Sequence, residues 1–183
     1  MSFTEGFGLN FTPFFLAYIS VLHKSGKDPL KCSSYRPISL LDHDYKIITK
    51  LLAKRLEDIL PKLINPDQAG FIKGRYSADN IRRLLNVINH FDTGRNPSLL
   101  LALDAEKVYD RVEWSFLFAI LEKLNMGQNF IAWIKSIYNN PKAAVITNGT
   151  SSDFFVLRRG TRQGCPLSSL LFLIIVELLA SCI

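Results

Sequence analysis

Apolar positions recur every three or four residues over 45–64, at Ile48, Leu52, Leu56, Ile59 and Leu63, with Lys50, Lys54, Arg55, Glu57 and Asp58 between them. That period predicts an amphipathic helix, kinked near Pro61, whose ring removes a backbone donor. A second stripe, Ile81, Leu84, Leu85 and Ile88, predicts a helix over 79–91 with these four side chains facing inward. Residues 93–97 read as a loop. Residues 98–103 form a continuous apolar run ending at Asp104, the pattern of a fully buried strand. Two more helices are expected over 113–125 and 128–139, separated by Gly127, and a last one from Leu167. Residues 143–147 and 154–157 read as strands joined at Asn148-Gly149, a strong hairpin signal. The Gly/Pro-broken turn at 24–29, the glycine-punctuated segment 68–75 and the stretch 160–166 are loops. The aromatic-rich stretch through Ser20 has no clear period and reads as irregular. The whole is a mixed α/β pattern around one core. Leu99, Leu101, Leu103, Trp114, Leu117, Leu121, Trp133 and Ile137 are expected to be largely buried in it.

Composition changes that picture little. A chain of 183 residues that is 48% hydrophobic is not a disordered polar chain. Lys and Arg exceed Asp and Glu by 22 to 16, and the net charge of +6 suits a polyanionic partner such as nucleic acid. Cys32, Cys165 and Cys182 are odd in number and far apart, with no CxxC pair, so neither a zinc site nor a disulfide framework is indicated. Reduced thiols in an intracellular compartment, cytoplasm or nucleus, follow from that reading. The apolar stretches 11–22 and 167–180 are too short to span a bilayer, and the second carries Glu177. No targeting signal and no membrane partner are expected.

Chemistry enters at Asp104. A carboxylate where a buried strand emerges is held rigidly at the rim of a sheet, a good place for a metal ligand. On position alone, an aspartate capping the next turn is the commoner role. Its neighbourhood alters the weighing. Tyr109 and Asp110 follow closely, in the run Asp104-Ala105-Glu106-Lys107-Val108-Tyr109-Asp110-Arg111. Later comes Gly160-Thr161-Arg162-Gln163-Gly164-Cys165-Pro166-Leu167-Ser168. Upstream lie Ser34-Tyr35-Arg36-Pro37-Ile38-Ser39-Leu40 and Gln68-Ala69-Gly70-Phe71-Ile72-Lys73-Gly74-Arg75. These four blocks, in this order, resemble the fingers and palm motifs of reverse transcriptases from non-LTR (long interspersed element type) retrotransposons. The resemblance runs from about Ile19 to the end of the chain.

What the resemblance implies is nucleotide addition: in-line attack of a primer 3′-hydroxyl on an α-phosphate, with two Mg²⁺ ions held by carboxylates from separate strands. The position matching Asp104 supplies the first catalytic carboxylate, and the backbone carbonyl of Ala105 a further oxygen ligand. Tyr109 matches the aromatic gate under the incoming sugar. Val108 departs from the smaller alanine usual in that family, which crowds the sugar pocket. Arg36 matches a fingers contact to the triphosphate, and a guanidinium fork fits phosphate oxygens. Gln163 and Gly164 match residues lining the nucleotide and template pocket. Lys73, Arg75 and Arg162 are candidate contacts to nucleic acid. For each, a plain structural role stays open: a core tyrosine, a surface ion pair, a solvated basic turn. Ser169 and Leu173 replace a proline and an asparagine usual in the family, and with Val108 they read as drift from strict selection.

The resembled family carries a second catalytic motif, an aromatic-x-Asp-Asp turn, beyond the block at Gly160. No Asp-Asp pair occurs in this chain, and the only aspartate after Gly149 is Asp153. The expected fold is therefore α/β, a right-hand polymerase fingers and palm, incomplete, with the second catalytic hairpin and the thumb missing. Residues 1–18 are expected as an irregular leader, 19–97 as the fingers region and 98–183 as a partial palm. The partners implied are an RNA template, a DNA primer, deoxynucleoside triphosphates and the missing C-terminal palm and thumb. One carboxylate cannot organise two Mg²⁺ ions, so the chain alone is expected to have no polymerase activity, and exposed apolar surface is expected to limit its solubility. The alternatives are a non-enzymatic module that binds RNA or hybrid duplex, and a structural remnant of a decayed element.

Overall fold

The computed structural model describes residues 16–92, 99–104 and 107–182. Strands β1 (Leu16–His23) and β2 (Tyr35–Leu41) form an antiparallel pair in which Tyr18 faces Leu40 and Leu22 faces Arg36. β3 (Lys142–Thr147) lies on the other side of β1 and runs parallel to it, Ala17 facing Ala143. The short strands β4 (Thr150–Ser151) and β5 (Phe155–Val156) pair antiparallel with β3. One mixed sheet thus joins segments more than a hundred residues apart in sequence. β1 corrects the irregular reading of the stretch through Ser20. Its run Leu16-Ala17-Tyr18-Ile19-Ser20-Val21 alternates poorly because Leu16 and Tyr18, on the exposed face opposite buried Ala17, are apolar too. β2 is a strand that the pattern did not announce, since Pro37 lies inside it. Pro37 is tolerated because β2 is an edge of the sheet and one side of it has no ladder to complete.

The hairpin at Asn148-Gly149 forms as its residues require. Both take positive φ, 50° and 75°, the left-handed pair of a tight two-residue turn. Helix α1 (His43–Glu57) begins at Asp42, whose carboxylate accepts from the Asp44 amide at 2.9 Å. It stops before α2 (Leu60–Leu63), and Pro61 sits in the first turn of that short helix, where its missing N–H has no partner to lose. The expected break is therefore there. α3 (Ser77–Asp92), α4 (Trp114–Lys123), α5 (Gln128–Ile137) and α6 (Ser168–Ala180) complete the described helices.

The core lies between α1, α4, α5, α6 and one face of the sheet. Leu52 and Leu56 from α1, Leu117 and Leu121 from α4, Ile131 and Ile134 from α5, Leu171 and Ile174 from α6 and Ala17 from β1 are all buried in it. α6 packs against both α1 and α4, which is why it is apolar around most of its circumference. Leu117, Leu121 and Ile137 are buried as expected, and Trp114 and Trp133 are half-buried against the same cluster.

Two expectations fail. Leu99, Leu101 and Leu103 are 90%, 70% and 78% exposed, and residues 99–104 form no strand. A strand is stable only when its backbone groups meet a partner, and the sheet's described pairings leave this run out. The stripe on α3 likewise faces outward: Ile81, Leu84, Leu85 and Ile88 are all exposed. The helical period is real, but among the described residues no apolar surface covers it. Residues 93–98, Ala105 and Glu106 lie outside the described residues, so the 93–97 loop and the Ala105 carbonyl are not described. Among the described residues, no helix is long and apolar enough to cross a membrane.

Candidate nucleotide and nucleic-acid site

The connection 157–167 between β5 and α6 gathers three of the four sequence blocks. The Leu157 amide donates to the Pro141 carbonyl at 2.8 Å, and the Gly160 amide donates to Val112 at 2.7 Å. Trp114 Nε1–H donates to the Gly160 carbonyl at 2.8 Å. The Thr161 amide reaches the Tyr109 carbonyl at 2.6 Å, which ties the loop to the 3₁₀ turn Val108–Arg111. On the other side, the Ser39 amide donates to the Gln163 carbonyl at 2.8 Å. The loop therefore docks along the free edge of β2.

Gly164 is where that docking is tightest. It has φ of +106°, and a Cβ placed there would lie 2.8 Å from the Ser39 carbonyl oxygen and 3.9 Å from Ile38 Cγ2. Only glycine allows the two backbones to approach this closely. Ile38 and Arg36 share one face of β2, two residues or about 6.7 Å apart along the strand. Arg36 is exposed. The structure thus brings the strand bearing Arg36 alongside Gln163 and Gly164.

Tyr109 is half-buried, with its ring 5.2 Å from that of Phe172 on α6, and partial burial raises its hydroxyl pKa. Asp110 is exposed and lines a cavity of about 380 Å³ with Ile19, Pro37, Ser39 and residues 156–163. Asp104 is exposed and in no regular element. Among the described residues, no three His, Cys, Asp or Glu side chains are grouped so as to hold a metal ion.

Two of the basic candidates are engaged within the fold. Arg75 is half-buried, and its guanidinium donates to the carbonyls of Ile64, Asn65 and Gln68, closing the connection between α2 and α3 on itself. That connection is further held by Asp67, paired with Arg83 at 2.9 Å, and by the Asn65 amide on Glu177 of α6 at 3.0 Å. Lys73 within it is exposed.

Arg162 is only 6% exposed, and its guanidinium carbon lies 5.2 Å from the centre of the Tyr45 ring. Tyr45, Tyr138 and Cys165 are buried beside it. Burial drives the hydroxyl pKa of both tyrosines well upward; the cysteine adds to this, and the guanidinium opposes it. A buried cation over an aromatic face is a favourable arrangement. It anchors the residue directly before Gln163. Arg158 and Arg159, by contrast, are exposed and line the 380 Å³ cavity. The sequence reading passed over them, although two adjacent arginines directly before Gly160 are a visible signal.

Comparison with known proteins agrees with this convergence of blocks. The family described as "Reverse transcriptase (RNA-dependent DNA polymerase)" matches residues 22–182. The chain is 36% identical over 162 residues to the transposon TX1 uncharacterized 149 kDa protein of Xenopus laevis, covering 88% of this chain and 12% of that protein. It is 32% identical over 160 residues to a probable RNA-directed DNA polymerase from transposon BS of Drosophila melanogaster, covering 86% of this chain and 17% of the relative. To the RNA-directed DNA polymerase from mobile element jockey of the same fly it is 28% identical over 159 residues, 85% of this chain and 17% of the relative. The chain therefore spans less than a fifth of each of these relatives. With the family matched along nearly its whole length and the motif blocks meeting at one loop, this chain belongs to the reverse transcriptase family, in the group carried by non-LTR retrotransposons.

Proposed function

We propose that the chain is the fingers region and front palm of an RNA-directed DNA polymerase, which extends a DNA primer on an RNA template with deoxynucleoside triphosphates. Residues 19–97 would be the fingers and 98–183 the palm. The observation that carries this reading is the docking of the Gln163-Gly164 loop on Ile38 and Ser39 of β2, the strand that bears Arg36, with Tyr109 bonded to the same loop. Arg36 would meet the triphosphate, Gln163 the sugar, Gly164 the base pair, and the Tyr109 ring would lie under the sugar. Lys73 is the exposed candidate for a template contact. Arg75 and Arg162 would act mainly by holding their loops in shape, given their partners inside the fold.

Reverse transcriptases work with divalent metal ions, and Mg²⁺ is the ion proposed here, with Asp104 and the Ala105 carbonyl as its ligands. When bound, such ions activate the attacking oxygen and neutralise developing charge. Among the described residues, Asp104 belongs to no group of three His, Cys, Asp or Glu side chains that could hold such an ion.

Equilibrium binding of a matched deoxynucleotide to the protein–hybrid complex tests the pocket. Arg36→Ala is expected to weaken it roughly tenfold or more, the scale of losing a hydrogen bond to a charged group, and Gln163→Ala by about 2- to 10-fold, the scale of losing a neutral one. Nucleotide affinity indifferent to both substitutions would remove the assignment. Sustained primer extension by these 183 residues, abolished by Asp104→Asn, would overturn the expectation that they are catalytically insufficient.

A further inference from the structure

Of the arginines flagged by the sequence as contacts to nucleic acid, Arg75 and Arg162 point their charge inward. The cavity beside Gln163 has other cations. Its lining includes Arg158 and Arg159 at the surface and Arg162 beneath, against one carboxylate, Asp110. Its remaining wall is largely apolar, from Ile19, Pro37, Val156 and Leu157. Arg158 makes no hydrogen bond or ion pair among the described residues, and Arg159 makes one exposed ion pair, with Glu113 at 3.5 Å. Such an exposed pair contributes little and is readily exchanged.

Backbone anchoring makes these two arginines more than loose surface charges. Leu157 is bonded to Pro141 and Gly160 to Val112, so residues 158 and 159 are the short span between two fixed points. Their stems leave the fold at a defined place while the guanidinium groups stay available. Two fork-shaped donors over a cavity with excess positive charge fit the closely spaced oxygens of a phosphodiester backbone.

We infer that Arg158 and Arg159 form a phosphate-contacting pair that holds one strand of the nucleic acid on the Pro37 and Ser39 face of β2, next to Gln163. This rests on the polymerase reading above and adds a contact to it. The β2 strand would then carry the nucleotide on its Arg36 face and the strand backbone on its Pro37 face, with the Gln163-Gly164 loop between them.

The test is the salt dependence of binding of a labelled RNA–DNA primer–template to the purified protein. Each lost phosphate contact lowers the slope of log K against log salt by about 0.9, which at about 0.1 M salt is about 8-fold in affinity, or about 60-fold for two contacts. Arg158→Gln with Arg159→Gln is expected to show that loss, while Arg158→Lys with Arg159→Lys keeps the wild-type slope. Lys54→Gln with Lys62→Gln removes equal charge elsewhere and is expected to leave the slope nearly unchanged. Both arginine positions are exposed, so the thermal midpoint stays as a check on folding. An unchanged slope in the glutamine variant, or an equal change in the lysine-to-glutamine control, overturns the assignment. So does weakened deoxynucleotide binding with an unchanged slope for the hybrid, which would move the pair to the triphosphate. Absence of hybrid binding by the unaltered protein would defeat the polymerase reading itself, and the pair's role with it.

Discussion

At the scale of single residues, position 164 shows how a motif glycine acts. The resemblance puts Gly164 in the lining of the nucleotide and template pocket, and the structure places a backbone against it: the Ser39 carbonyl occupies the space a Cβ would need. Gly164→Ala is expected to destabilise the protein by about 1–3 kcal/mol, from a positive φ and a displaced strand. Hydrogen exchange is the sharper readout, because the Ser39 amide loses protection if the Gln163 carbonyl is pushed away. A Ser39 amide as protected in the variant as in the parent would mean that the loop docks without needing glycine. Arg162 makes a related point. Its residue type suggested a phosphate contact, yet the chain places it under its own motif, over Tyr45. Nothing in the neighbouring sequence distinguishes an arginine that reaches outward from one that folds inward, because the deciding aromatic lies on α1, more than a hundred residues away.

At the scale of elements, periodicity predicted helices better than it predicted their burial. α1, α4, α5 and α6 have apolar faces that meet in one buried cluster, whereas the apolar face of α3 stays exposed. Leu121→Ala, at a fully buried site on α4, is expected to cost about 2–5 kcal/mol. Ile81→Gln with Leu85→Gln on α3 is expected to change stability by less than about 0.5 kcal/mol per site while raising the concentration at which the protein stays monomeric. Urea titration and sedimentation measure the two effects separately. A large loss of stability in the α3 variant would show that its stripe is packed in solution. β2 was missed for the opposite reason: Pro37 reads as a breaker unless the strand is known to be an edge, and edges are a property of the assembled sheet.

At the scale of the molecule, the buried polar cluster couples folding to alkaline pH. Burial raises the pKa of Tyr45 and Tyr138 well above their ordinary value near 10, so the folded state keeps protons that the unfolded chain releases. The raised folded pKa means that this stabilisation is fully present below pH 10 and is lost as pH climbs toward the folded values. Stability is therefore expected to fall above about pH 10 by about 1.4 kcal/mol per pH unit for each tyrosine. Tyr45→Phe with Tyr138→Phe should flatten that decline in urea titrations at successive pH values. An equally steep decline in the double variant would place its source elsewhere.

The information legible in the chain alone is local or strictly ordered along it. It includes the helical periods, the Asn148-Gly149 hairpin, the break before Pro61 and the four motif blocks that name the family. Each depends on a few adjacent backbone units or on the residue order itself. Which apolar stripes are buried, that β1 runs parallel to β3, and which arginines face outward emerge only once the elements are assembled. Burial and strand pairing belong to two surfaces meeting, and one stretch of chain records only its own half of that contact. The runs at 81–88 and 99–103 are apolar enough for a core, and they stay exposed because nothing described in this fold lies opposite them.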